Sequence, residues 1–140
     1  MIIIFEGPNG SGKSTLFKAL AKARDYKDTY IDRMFISDIV YAMMNNRTAA
    51  LSEKIKQLQQ FVETFKPLHV ILTASRIEIE KAIISKNESF DFTNYIGEEM
   101  RFKDFSKILL KNRVIYLDRT NKTIEKCISI ILKEIKKHDQ

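Results

Sequence analysis

Residues 1–15 read MIIIFEGPNGSGKST. Ile2 to Phe5 form an all-apolar run, and the stretch after it holds three of the chain's four glycines. Such a run predicts a buried strand of a parallel sheet. Gly7-Pro8-Asn9-Gly10-Ser11-Gly12-Lys13-Ser14 fits G-x-x-x-x-G-K-[ST] without a gap. Glycine suits this stretch because a Cβ would forbid some of its backbone angles and keep the amides away from phosphate oxygens. A helix beginning near Lys13 adds its positive N-terminus. Lys13 is then expected to reach the β- and γ-phosphates, Ser14 to offer its hydroxyl to magnesium, and Thr15 to meet the α-phosphate. The expected cofactors are ATP and Mg2+.

Outward from this loop, the pattern predicts helices at 13–24, 33–45, 51–66, 76–86 and 98–111, with strands at 29–32, 69–73 and 114–117. Leu16, Leu20 and Ala23 mark the inner face of the first helix. Leu51, Ile55, Leu58, Val62 and Phe65 mark that of the third, which Pro67 ends. Residues 87–97, NESFDFTNYIG, carry no period and are expected to be a loop. Thr120 or Asn121 is expected to cap a last helix with Ile124, Cys127, Ile128, Ile131 and Ile135 on one side. Apolar strands alternating with helices imply an α/β fold: a parallel sheet of about four strands with helices on both faces, the three-layer arrangement of P-loop NTPases. Ligands of such sheets sit at the carboxyl ends of the strands, where the glycine stretch and Asp32 both fall.

The length of 140 residues suits one domain, residues 1–140. No apolar run approaches the roughly 20 residues of a membrane span. The short run at 2–5 has no basic flank and leads into glycines, unlike a signal peptide. Cys127 is the only cysteine, so an internal disulfide is excluded and a cysteine-based zinc site disfavoured. A cytoplasmic location is the expectation. The net charge of +6 suits a phosphate-bearing partner, but the lysines are spread along the chain. Nucleotides are therefore the expected partners, and nucleic acid is not favoured. A homodimer is a further possible state.

The second informative stretch is Asp32-Arg33-Met34-Phe35-Ile36-Ser37-Asp38-Ile39-Val40-Tyr41. An acid ending a strand is placed to bind magnesium opposite Ser14, or to receive a hydroxyl proton. Capping the next helix is the alternative. Arg33 would hold a second phosphate bidentately, and Ser37 and Tyr41 share a helix face with each other.

Together these stretches resemble the thymidylate kinase branch of the nucleoside monophosphate kinases and its deoxynucleoside kinase cousins. FEGPNGSGKST resembles the family's F-E-G-x-x-G-[SA]-G-K-S-T, and DRMFISDIVY its D-R-x-x-x-S-x-x-[AV]-Y. VIYLDRTNKTIEKCISIILKEI is similar to the family's last strand, adenine-side loop and closing helix. ILTASRIEIEKAI is similar to the strand leading into its lid. The resemblance implies that Gly7, Asn9, Gly10, Ser11, Gly12, Lys13, Ser14 and Thr15 hold the donor, with Arg119 near the adenine. It implies that Ser14 and Asp32 hold the metal, and that Arg33, Ser37 and Tyr41 line the acceptor site. Lys13, Asp32 and Arg33 are the implied catalytic residues.

A lid-like segment at about 76–97 carries Arg76, Lys81 and Lys86 where the family places arginines. Lysine lacks the guanidinium fork, which weakens such a clamp. The family's strand and helices between its first helix and the D-R strand are also missing, so the chain resembles a shortened member. The implied activity is phosphoryl transfer from ATP to a deoxynucleoside monophosphate such as dTMP. The alternatives are a kinase acting on a nucleoside or a nucleic-acid 5′ end, and a nucleotide-binding regulatory module.

Of the other candidates, Glu6 is expected to support the loop, and His69 and Met43-Met44 to pack. Asp118 is expected to be structural rather than metal-binding, and His138 to lie in a fraying terminus. Phe90, Phe92 and Tyr95 either stack on a base or fold the lid.

Overall fold

A computed structural model describes residues 1–8, 10–85, 95–110 and 113–138. The elements run β1 (Ile2–Glu6), α1 (Lys13–Ala23), β2 (Thr29–Asp32), α2 (Phe35–Met44), α3 (Leu51–Phe65) and β3 (Leu68–Thr73). They continue with α4 (Arg76–Ser85), α5 (Tyr95–Leu110), β4 (Val114–Asp118) and α6 (Ile124–His138). The four strands form one sheet in the order β2-β1-β3-β4, every neighbouring pair parallel. The chain leaves β1 for β2 on one side and continues in β3 on the other. The glycine stretch after β1 therefore lies at a topological switch point.

Alternation along the central strands divides the core. Ile3 and Phe5 of β1, with Leu68, Val70 and Leu72 of β3, pack under Leu16 and Leu20 of α1 and Cys127, Ile128, Ile131 and Ile135 of α6. Ile71 points the other way, among Ile36, Ile39 and Val40 of α2, Leu58 of α3 and Phe102 of α5. Both faces are thus covered, and all six residues of β3 are buried. β2 is an edge strand whose first and last residues are exposed. The chain passes from α1 to β2 without an intervening strand. Arg24 and Asp28 pair across that turn, and the hydrogen bond from Arg24 brings Asp28 down to about 2.

Several sequence expectations are corrected. α5 begins at Tyr95, so the last three residues of the expected loop are helical, and α2 begins at Phe35 rather than 33. Ala21, not Ala23, completes the buried face of α1. Phe65 and Ile124, both expected inside, are 56% and 38% exposed. Thr123 caps α6 in place of Thr120 or Asn121, because its hydroxyl accepts from Lys126 N at 3.1 Å. α6 continues through His138.

His69 is buried in β3, and burial alone pushes its imidazole down to about 4. A histidine in the unfolded chain titrates near 6.5. Between those values the unfolded state binds the extra proton, so stability is lost as pH falls from about 6.5 to about 4. Replacing His69 with Leu should remove this loss. In urea denaturation the His69 protein should lose roughly 3 kcal/mol relative to the Leu variant as pH falls across that interval, and parallel pH profiles would contradict it.

Candidate active site

The phosphate loop is held closed from both sides. Gly7 has φ 148, and a Cβ there would lie 2.4 Å from the carbonyl oxygen of Leu72 in β3. Gly12 has φ 89, and a Cβ there would meet the Arg119 guanidinium at 1.7 Å. Both backbones are in the positive-φ region that strains a side chain, and at Gly7 the obstructing atom is itself backbone. Ser11 is buried, with its hydroxyl donating to Pro8 O at 2.7 Å. Lys13 opens α1 and curls back, donating to Gly7 O at 3.1 Å and Pro8 O at 2.9 Å. Burial, reinforced by Arg33, lowers its ammonium to about 8. Ser14 and Thr15 are exposed on the first turn of α1. Asn9 lies outside the described residues.

Across from this loop, Asp32 ends β2 with an exposed carboxylate. Ser14 Oγ donates to its Oδ2 at 3.5 Å. Two exposed, hard oxygen donors facing one another suit magnesium, which keeps waters and takes substrate phosphates as its other ligands. Among the described residues no group of three or more His, Cys, Asp or Glu gathers as a metal cage.

The turn after Asp32 is built on Glu6. Arg33 has a left-handed backbone, φ 67, and its N donates to Phe5 O at 2.9 Å. The Glu6 carboxylate accepts from Met34 N at 2.6 Å, Ser37 N at 3.1 Å and the Ser37 hydroxyl. It therefore supports the D-R turn and the start of α2, rather than the phosphate loop itself. Burial pushes Glu6 up to about 7 despite these donors.

Arg33 Nη1 donates to Tyr41 Oη at 2.8 Å and to Ser37 Oγ at 3.3 Å, and its guanidinium lies 5.1 Å from the Tyr41 ring centroid. Tyr41 donates in turn to Glu98 Oε1 of α5 at 2.6 Å. Burial and this carboxylate hold the phenol above its usual range. Arg33, Ser37 and Tyr41 are thus brought together as the sequence suggests. Glu98 was not foreseen, because nothing local marks a partner fifty-seven residues away.

The far wall comes from the β4–α6 turn and α4. Arg119 Nη1 donates to Ser11 O at 3.1 Å, and Arg119 N donates to Thr73 O at 2.9 Å. Thr120 Oγ1 accepts from Ser75 N at 2.7 Å, and Glu78 accepts from Asn121 N at 3.0 Å. Ile79 and Ile83 of α4 crowd Gly10. Asp118 accepts from Thr120 N at 3.0 Å and so holds its own turn. Arg76 opens α4, though its side chain is outside the described part, and Lys81 is exposed on that helix. Lys86, Phe90 and Phe92 lie outside the described residues. Tyr95 opens α5, and its side chain is likewise outside them.

A family model described as ABC transporter, which covers P-loop NTPases, matches residues 1–125. The chain belongs to that family. Among the described residues no helix is long and apolar enough to cross a membrane. The fold is shared with several solved structures. YorR from Bacillus subtilis, in complex with phosphorylated GDP, aligns at TM-score 0.75 and 15% identity over 100% of this chain and 99% of that one. Deoxyadenosine kinase from M. mycoides, with products dCMP and a flexible dCDP bound, aligns at 0.68 and 12% over 98% and 100%. Thymidylate kinase from Candida albicans aligns at 0.67 and 14% over 99% and 92%. At such identities the likeness is one of fold. A comparison with curated proteins gives no match.

The dependence of the D-R turn on Glu6 is directly testable. Glu6→Ala leaves three donors without their acceptor, two of them on the buried Ser37. It should cost about 2–3 kcal/mol in urea denaturation at pH 6. A loss below about 0.5 kcal/mol would show that the turn stands without it.

Proposed function

We propose that this chain is an ATP- and magnesium-dependent kinase whose acceptor is the phosphate of a deoxynucleoside monophosphate. One observation carries the reading. Arg33, a guanidinium fork braced by Ser37 and Tyr41, stands near the phosphate loop, close enough to Lys13 to lower its pKa. One cation set on the loop serves the donor, and the braced fork suits a second phosphate.

In this reading an oxygen of the acceptor phosphate attacks the γ-phosphorus in line. A new O–P bond forms as the bond from the γ-phosphorus to the β–γ bridging oxygen breaks, and ADP departs with those electrons. Lys13 leaves its carbonyl partners for the β- and γ-phosphates, and Arg33 holds the acceptor phosphate in line. Ser14 and Asp32 would hold magnesium, whose part is to neutralise phosphate charge. Arg119, lying over Gly12, borders the adenine side. Arg76, Lys81 and Lys86 supply the lid's positive charge. The resemblance to thymidylate kinases makes dTMP the first acceptor to try.

Coupled ADP-release assays with the four deoxynucleoside monophosphates should show acceptor-dependent turnover. Lys13→Ala should abolish it with an unchanged circular dichroism spectrum. Turnover with none of the four would overturn the proposal. Tyr41→Phe removes the hydroxyl that links Arg33 to Glu98, and should raise the acceptor KM roughly tenfold. The KM for ATP should stay near its original value, and equal rises in both would argue against an acceptor-side role.

A further inference from the structure

A cavity of about 610 Å³ opens between α2 and α3, within the size range of small-molecule sites. It is lined by Asp38, Tyr41, Arg47 and Lys54, with Ala42, Ala49 and Ala50. The alanines leave the space that longer side chains would fill. Tyr41 also belongs to the Arg33 clamp, so the cavity and the acceptor-phosphate position share a wall. Ala42 lies five residues beyond Ser37 on α2, about 7.5 Å along the helix axis. A nucleotide whose phosphate rests at Arg33 can therefore lay its base in this cleft.

The charged groups there do not satisfy one another. Among the described residues Asp38 makes no ion pair with Arg47 or Lys54, although all three line the same space. An acid and two cations kept apart match a ligand with donors on one edge and acceptors on the next. Guanine is such a base: N1–H and N2–H2 face one way, O6 and N7 the other. A carboxylate accepts from the first edge, and an arginine fork donates to the second. Thymine sets an oxygen on each side of its single N–H, so a carboxylate opposite it meets two acceptors. Adenine puts its amino group beside N7, where an arginine fork needs an acceptor, and cytosine offers the carboxylate a single amino group where guanine offers N1–H and N2–H2 side by side.

We infer that the α2–α3 cleft is the acceptor-base pocket and selects guanine, with Asp38 taking the N1–H and N2–H2 edge and Arg47, seconded by Lys54, taking O6 and N7. This rests on the nucleotide-kinase reading above, and it replaces the thymine that the sequence resemblance implies.

Initial rates with dGMP, dAMP, dCMP and dTMP test it, together with calorimetric titration of dGMP and dTMP. The kcat/KM for dGMP should exceed that for dTMP at least about tenfold. Asp38→Asn should erase that preference, and Arg47→Gln should weaken dGMP alone. Circular dichroism checks that both variants are folded. A preference for dTMP, dCMP or dAMP, or an Asp38→Asn protein with the original base order, would overturn the inference. Absence of turnover with every acceptor defeats the kinase reading, and titration then decides the pocket. Selective dGMP binding that Asp38→Asn removes would sustain it. Equal binding of the two nucleotides, or none, would overturn it.

Discussion

A single buried carboxylate connects the two halves of this site. Glu6 is the last residue of β1, one position before the phosphate loop, and it accepts three hydrogen bonds at the entry to α2. The strand that delivers the donor loop therefore also sets the height and angle of the Arg33 turn. Burying an acid in this way is costly unless donors converge on it. Here three donors come from one short turn, so the turn cannot relax without stranding the carboxylate. The left-handed Arg33 backbone, unusual for a side chain of this size, is held in place by the same contact and by its bond to Phe5 O.

A second constraint works at close range around the glycines. Gly7 lies against the backbone of β3, Gly10 against α4, and Gly12 beneath Arg119. The loop is thus clasped by three elements that lie far from it in sequence. Bonds from Ser75, Arg119 and Asn121 tie those elements to one another. A movement of α4 would reach the loop through Ile79 and Ile83, because those side chains pack where Gly10 has none.

Much of this was legible in the chain itself. All four strands were legible, β1, β3 and β4 as apolar runs, and the loop motif located the switch point, since these signals are local. The errors have physical reasons. Ala21 and Ala23 are equally apolar, and only the rotation of α1 against the sheet decides which is covered. The aromatic and polar stretch before α5 has no period, so its first helical turn gave no signal. Thr120 looked like a helix cap but serves Ser75, and Thr123 takes the role. The Tyr41–Glu98 contact depends on how α2 and α5 cross. Glu6 showed as a support residue, but the turn it supports is twenty-eight residues on.

The position of Lys13 has one more consequence. Its ammonium is inside the protein, against two carbonyl oxygens and within the field of Arg33, and is lowered to about 8. In mildly alkaline solution such a lysine is only partly charged. A phosphate arriving at the loop supplies the missing countercharge, and the amine then takes up a proton from solvent. Anion capture and proton uptake become one linked equilibrium. The heat released on binding would then carry the ionisation enthalpy of whatever buffer gave up that proton.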